Sequence, residues 1–333
     1  MNELGVVIIG RNEGERLQRC IRSIVGKAAD IVYVDSGSSD DSVAFARSLG
    51  VHVVTLDMAR PFTAARARNA GFERLLEIRP DLPFVFFADG DCEIVDGFIE
   101  TALAWLEGHP EFVLVAGRRA ERHPEASIYN RLCDLEWNTP VGEAVTCGGE
   151  SIVRCGIFRR VGMFNPAMIA GEEPELCVRL RKAGGRIQRL DADMSLHDAA
   201  MDRFGQWWKR AERAGHAYAE GMARHGGRPW RHNVREVRSI LFWAVAVPLV
   251  IIAGVIGMLW SPWPGFGAVG AALLLPVLWW RIYRYRRGRG DPASDCRVYA
   301  TFVVLGKWPE CKGILSFWLH RILGRRRALI EYK

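Results

Sequence analysis

Short, uninterrupted apolar runs alternate in the first part of the chain with segments whose apolar positions recur at helical spacing. Leu4 to Ile9 is the first such run. A helix is predicted from near Asn12, with Leu17, Ile21 and Ile24 on one face. Ile31 to Val34 reads as a second strand, Asp41 to Leu49 as a helix and Val51 to Leu56 as a third strand. Ala64 to Leu76 reads as a helix, and Phe84 to Ala88 as a fourth strand that ends in Asp89-Gly90-Asp91. Runs of large apolar residues without polar alternation suit strands buried on both faces, and strands alternating with helices predict an α/β fold built on a mainly parallel sheet. The pattern changes late in the chain. Ser239 to Trp260 and Pro264 to Trp280 carry no charge, joined by the turn Ser261-Pro262-Trp263-Pro264-Gly265.

About 20 helical residues bridge a bilayer core, so the first run is long enough and the second is marginal. Trp260, Trp263, Trp279 and Trp280 sit at the run ends, where interfacial aromatics belong. Arg231, Arg235 and Arg238 precede the pair and Arg281 to Arg289 follow it, which puts both outer ends in the cytoplasm and the turn across the membrane. A hydrophobic two-helix hairpin inside a soluble core is the other reading.

Charge supports the membrane. The 333 residues carry a net charge of +7, and from Arg281 onward thirteen Lys or Arg face four Asp or Glu. A basic tail suits nucleic acid or an anionic membrane surface, and its apolar neighbours point to lipid rather than nucleic acid. Within the tail Ile314, Phe317, Trp318 and Ile322 can share a helical face, as in a helix lying on anionic lipid. A small helical cap is the alternative. The eight cysteines show no CxxC pair and no zinc spacing, which suits buried thiols in a reducing compartment. With no signal-peptide pattern before the first strand, the expectation is a protein made and working at the cytoplasmic face.

Polar residues gather at the predicted strand ends: Asn12 and Glu13, then Asp35 to Asp40, then Asp89 and Asp91. Open α/β sheets bind ligands at this edge. Two carboxylates separated by glycine suit Mn2+ or Mg2+, although Asp-Gly is also ordinary turn chemistry. No GxGxxG or P-loop follows the first strand, so dinucleotide or P-loop nucleotide binding has little support. The DxDxT of haloacid-type phosphatases is absent as well, since Glu93 and Ile94 follow Cys92.

The segments VVIIGRNEGERLQRCIRSI, IVYVDSGSSDDS, RARNAG, FADGDCEI and GEEPELCVRLRKAGGRI, in this order, resemble a family 2 glycosyltransferase of the GT-A fold over roughly residues 4 to 200. The resemblance implies a nucleotide-diphosphate sugar donor, most often a uridine one, and inversion at the anomeric carbon. It implies that Asn12, Glu13 and Asp35 cradle base and ribose, and that Arg68 meets the base or phosphates. Asp91 is then the metal ligand, with Asp89 contacting the ribose or assisting through water. Gly148 and Gly149 fall in the loop beside the donor sugar. His197 sits where many GT-A enzymes carry a metal-binding histidine, although a lone histidine is often structural.

The reaction needs a carboxylate to take the acceptor proton. Gly171-Glu172-Glu173-Pro174 provides one at a helix start, with Glu173 standing where the family more often has Asp, and Glu172 as the second candidate. Acidic residues there also complement a helix N-terminus without further purpose. Trp207, Trp208, Lys209 and Arg210 only partly resemble the QxxRW of processive synthases. They could hold an acceptor sugar and its phosphate, or dock their helix on membrane or core.

These readings predict a catalytic domain over 1–225, a basic linker over 226–238, a transmembrane hairpin over 239–280 and a basic amphipathic tail over 281–333. The expected activity is inverting sugar transfer to a hydroxyl of a polyprenyl-linked lipid or glycolipid at the cytoplasmic membrane face, in surface polysaccharide or glycolipid synthesis. A catalytically inactive membrane scaffold that retains the fold is the alternative.

Overall fold

A computed structural model describes residues 3–325; the end of the predicted tail, 326–333, lies outside the described residues. The chain forms two compact units. One holds the residues up to His123 and Glu136–Ala200, the other Pro124–Leu135 and the residues from Met201 onward.

In the first unit the elements run β1 (Leu4–Gly10), α1 (Glu15–Ile24), β2 (Asp30–Asp35), α2 (Ser42–Ser48), β3 (His52–Thr55), α3 (Ala64–Ile78), β4 (Phe84–Asp89) and β5 (Cys92–Ile94). They continue with α4 (Phe98–Gly108), β6 (Phe112–Glu121), α5 (Ile128–Trp137, which enters from the second unit), β7 (Gly142–Ala144), β8 (Ser151–Arg154), α6 (Cys155–Arg160), α7 (Glu172–Lys182) and β9 (Arg186–His197). The sheet order is β3-β2-β1-β4-β8-β6-β9-β5, with β7 on β9.

The half from β3 to β4 is parallel, as the alternation of strands and helices predicts. Beyond β4 the sheet is mixed: β8 runs antiparallel to both β4 and β6, while β6 and β9 pair in parallel. The antiparallel strands β5, β7 and β8 are all short, three or four residues long, with β8 inside the sheet between β4 and β6 and β5 at its edge on β9.

Both faces of the sheet are covered. Val6, Ile8, Tyr33, Phe86 and Ala88 face one core with Leu17, Cys20 and Ile21 of α1. Val7, Ile9, Val32, Val34, Val85 and Phe87 face the other, against Phe72 and Leu75 of α3 and Leu176 and Leu180 of α7. Double burial explains why these strands read as unbroken apolar runs. Register then sets the site. Ile9 lies opposite Asp89 and Gly10 opposite Asp35, so the turns after β1, β2 and β4 emerge side by side at one edge.

The second unit is helical: α8 (Phe204–His225), α9 (Val234–Gly257), α10 (Trp263–Gly288), α11 (Ala293–Leu305) and α12 (Lys307–Ile322). α8 and α12 meet backbone to backbone; a Cβ on Gly215 would lie 1.9 Å from the Glu310 carbonyl oxygen, so only glycine fits that crossing. α9 widens into a π turn at Phe242–Ala246. α9 and α10 approach through Gly254, Gly265, Ala268 and Ala271, the small-residue contact that lets apolar helices come close. Both helices are long and apolar enough to cross a membrane, and only 17% of the most apolar window of each is buried inside the protein. A core hairpin of a soluble protein would bury far more.

The tail differs from expectation in its exposed face. Ile314 is 1% exposed, and Phe317 and Trp318 pack with it on Ala219, Val237 and Ile240. The outward stripe of α12 is instead Trp308, Leu315, Leu319 and Ile322. Of the four residues predicted to share a lipid-facing side, only Ile322 is on it.

Candidate active site

Ile9 and Asp89 are the last paired residues of β1 and β4, and the Gly90 amide still donates to the Ile9 carbonyl at 2.8 Å. The acidic turn is thereby fixed to the sheet edge. Beside it, Asn12 takes a left-handed backbone with φ 54°, its amide donating to Ser38 Oγ at 2.9 Å. Its side-chain Oδ1 accepts from the Ser39 amide at 2.7 Å. Glu13 pairs with Arg16 at 2.8 Å. Asp35 is buried and accepts from Tyr33 Oη at 3.2 Å and from the Gly37 and Ser38 amides at 3.1 Å. These residues tie the β1 and β2 turns into one cradle.

Arg68 is the centre of the site. It rises from α3, is 2% exposed, and donates to Asp89 Oδ1 at 2.8 Å, Glu173 Oε1 at 2.8 Å and Glu172 Oε1 at 3.0 Å. Burial alone would lower its pKa, but Asp89, Glu173 and Glu172 outweigh burial and hold it above the ordinary value. Asp89 is the mirror case. Burial would raise its carboxyl, yet Arg68 and then Arg119 outweigh it and hold the group below the ordinary range.

Glu172 and Glu173 open α7, whose helix start at Gly171 has φ 78° and whose Pro174 is tolerated in the first turn. Of the two side chains Glu173 is the more accessible, 16% exposed against 4% for Glu172. Gly149 lies directly against this cluster. A Cβ there would stand 2.6 Å from Arg68 Nη2 and 3.1 Å from both Asp89 Oδ2 and Glu173 Oε1, whereas one on Gly148 would meet open space.

Asp91 turns the other way from Asp89. Its Oδ2 lies 3.3 Å from His197 Nε2, at the end of β9. Asp91, Cys92 and His197 bring one ligand atom each within 4.8 Å of one another. One carboxylate oxygen and one imidazole nitrogen at this spacing fit a single divalent cation such as Mn2+ or Mg2+. Cys92 fits less well. Burial, reinforced by Glu150, pushes its thiol well above the ordinary value, and hard cations do not favour sulfur. Asp89 is not in this group; its two oxygens face Arg68 at 2.8 Å and Arg119 at 3.5 Å.

Asn12, Glu13, Asp35, Arg68, Asp89, Asp91, Gly148, Gly149, Glu172, Glu173 and His197 all belong to the first unit. Trp207, Trp208, Lys209 and Arg210 belong to the second, on α8. There Trp207 is 3% exposed and packs edge-on against Phe302 of α11 at 4.9 Å, as a core aromatic does.

Sequence reasoning missed Arg119 and Glu121, and it placed Glu150 in the Cys147–Glu150 loop beside the donor sugar without a role of its own. Glu150 is fully buried, accepts from Arg119 Nε at 2.9 Å and from Ser195 Oγ, and so backs the guanidinium that faces Asp89. The faint signal was charge inside strand β6, GRRAE, where neighbouring residues are apolar.

Residues 5–158 match the family model of glycosyl transferase family 2. The chain is 28% identical to the pre-mycofactocin glycosyltransferase of Mycobacterium tuberculosis, over 97% of this chain and 68% of that protein. Among solved structures it resembles a mannosyltransferase from Pyrobaculum calidifontis, PcManGT, in complex with GDP-Man and Mn2+. The TM-score is 0.57 at 18% identity, covering 90% of this chain and 86% of that one. It also resembles S. aureus TarS 1-349, with a TM-score of 0.51 at 14% identity and 90% coverage of each chain. Likeness at these identities shows the GT-A fold, and residues 5–158, which carry the turns after β1, β2 and β4, match the family model of glycosyl transferase family 2.

Proposed function

We propose that this glycosyltransferase is metal-dependent and inverting, moving a sugar from a nucleotide-diphosphate donor, a uridine one by preference, to a lipid-linked hydroxyl at the cytoplasmic membrane face. The observation that carries the proposal is the sheet edge itself, where Asp91 meets His197 and, two residues away in the same turn, Asp89 shares Arg68 with Glu173. The cradle formed by Asn12, Glu13 and Asp35 receives base and ribose. A Mn2+ or Mg2+ ion held by Asp91 and His197 would offset charge on the diphosphate. Gly149 lets its loop pack directly on Arg68, Asp89 and Glu173, and the open space at Gly148 beside it suits the donor sugar. Glu173 takes the acceptor proton, the acceptor oxygen attacks the anomeric carbon, and the nucleoside diphosphate leaves with the electron pair of the broken C–O bond. Attack opposite the leaving group inverts that carbon.

Thermal shift of the full chain tests the donor reading, because a ligand that binds only the folded state raises the melting temperature. One uridine or guanosine sugar nucleotide is expected to stabilise the protein with Mn2+ present, and the metal-dependent part is expected to vanish in Asp91→Ala. No shift with any sugar nucleotide would favour the inactive-scaffold alternative.

The α9–α10 hairpin and the exposed stripe of α12 support the reading of a lipid-linked acceptor. Arginines flanking the hairpin support a reading in which its outer ends lie on the cytoplasmic side. Full-length protein is expected to pellet with membranes and resist alkaline carbonate extraction. Recovery in the supernatant would remove the basis for a membrane-borne acceptor.

A further inference from the structure

Behind His197, on the side away from Asp91, lies a carboxylate that the sugar chemistry does not use. Glu121 ends β6 directly opposite His197 in the parallel β6–β9 register, and its side chain is fully buried. Its Oε1 accepts from the His123 amide at 3.2 Å and the Ala199 amide at 3.4 Å. Its Oε2 accepts from the Ala199 amide at 3.1 Å and lies 3.5 Å from His197 Nδ1. Trp137 closes a third side of the imidazole, edge-on at 4.7 Å. The Arg122 amide holds the His197 carbonyl at 2.8 Å.

We propose that Glu121 is a positioning residue that keeps the His197 proton on Nδ1 and so presents Nε2 as a metal donor. This rests on the reading of Asp91 and His197 as a cation site. A neutral imidazole carries one proton, and the nitrogen without it is the one that can coordinate. Asp91 and Glu121 flank the two nitrogens, so the imidazole has an acceptor on each side. The two differ in what else they do. Glu121 is anchored by backbone amides and cannot turn away, whereas Asp91 is the group that a cation would engage. A carboxylate fixed behind a ligating histidine sets both tautomer and ring orientation.

The isosteric variant Glu121→Gln separates this role from simple loop support. The His123 amide bonds only Oε1, and the Ala199 amide is shared between Oε1 at 3.4 Å and Oε2 at 3.1 Å, so a glutamine oxygen at the Oε1 position is the placement that keeps a bond to both amides. The glutamine NH2 then falls where Oε2 was, facing Nδ1 as a donor. Nδ1 must become the acceptor, and the proton moves to Nε2.

The test uses the full chain in detergent micelles. Metal-free protein labelled with 15N at histidine is compared with His197→Asn to identify the His197 signals, and Mn2+ affinity is measured by calorimetry. The wild type is expected to show the Nδ1–H tautomer. Glu121→Gln is expected to show Nε2–H and to bind Mn2+ about 10–100-fold more weakly, with an unchanged circular dichroism spectrum. A role limited to holding the Ala199 and His123 amides predicts no change in tautomer. Mn2+ binding by the wild type with the same tautomer and affinity in Glu121→Gln would overturn the positioning role alone. Absence of Mn2+ binding in the wild type would overturn the cation site, and the role of Glu121 with it.

Discussion

Glu173→Gln is expected to lower sugar transfer by two to four orders of magnitude while donor affinity stays within about threefold, the range for loss of a general base. The substitution is conservative where it touches the protein. Glu173 accepts from Arg68 at 2.8 Å through Oε1, and a glutamine oxygen can accept the same bond, so the cluster holds its shape. What disappears is the ability to accept a proton from the acceptor hydroxyl. Single-turnover transfer and donor binding measured side by side check the two halves of this expectation. Glu172 is the competing base, one residue away and also bonded to Arg68, but it is 4% exposed and an acceptor hydroxyl reaches it less readily. Transfer by Glu173→Gln at the wild-type rate would pass the role to Glu172. Loss of donor binding instead would mean that Glu173 belongs to the donor site.

Much of this site is local in the sequence, which is why it could be read there. Phe84 to Ala88 is apolar because β4 is buried on both faces, and Asp89-Gly90-Asp91 follows because that strand ends at an open edge. The same logic located Asn12 and Asp35 at the ends of β1 and β2. Glu121 and Glu150 were not legible, because their meaning arises from pairing between distant segments. Glu121 meets His197 only through the β6–β9 register, and that register contains shifts between Phe112 and Leu114 and again after Ala116. No local pattern anticipates a bulge that decides which residue lies opposite the histidine. The face of α12 escaped for a related reason. Ile314, Phe317 and Trp318 are equally suited to lipid and to α8, and the glycine crossing at Gly215 and Gly313 decides for α8. Arg68 was recognised as a site residue, but its three carboxylate partners come from β4 and α7, and composition cannot show that they converge.

That convergence carries the largest expected effect on stability. Arg68→Met is expected to destabilise the α/β unit by about 3–5 kcal/mol, the cost of leaving buried charge without its partner. One guanidinium, 3% exposed at its side chain, serves Asp89, Glu172 and Glu173. Methionine fills similar volume, so the loss reads charge and hydrogen bonding more than packing. For a unit of this size, about 2–4 °C accompanies each kcal/mol, so a fall of roughly 6–20 °C in Tm is expected. Arg68→Lys should fall between the two, because an ammonium lacks the planar fork that reaches three carboxylates.

Acid supplies an independent check. Asp89 has its pKa held below the ordinary 3.8, so its contribution to stability is complete above that value and is lost as pH falls through the depressed one. In Arg68→Met that acid-side loss should shrink, since the guanidinium that depresses Asp89 is gone. A variant melting within about 2 °C of wild type, with the same acid profile, would mean that solvent or Arg119 already compensates the three carboxylates. The site would then be a loose acidic cluster rather than one organised by Arg68.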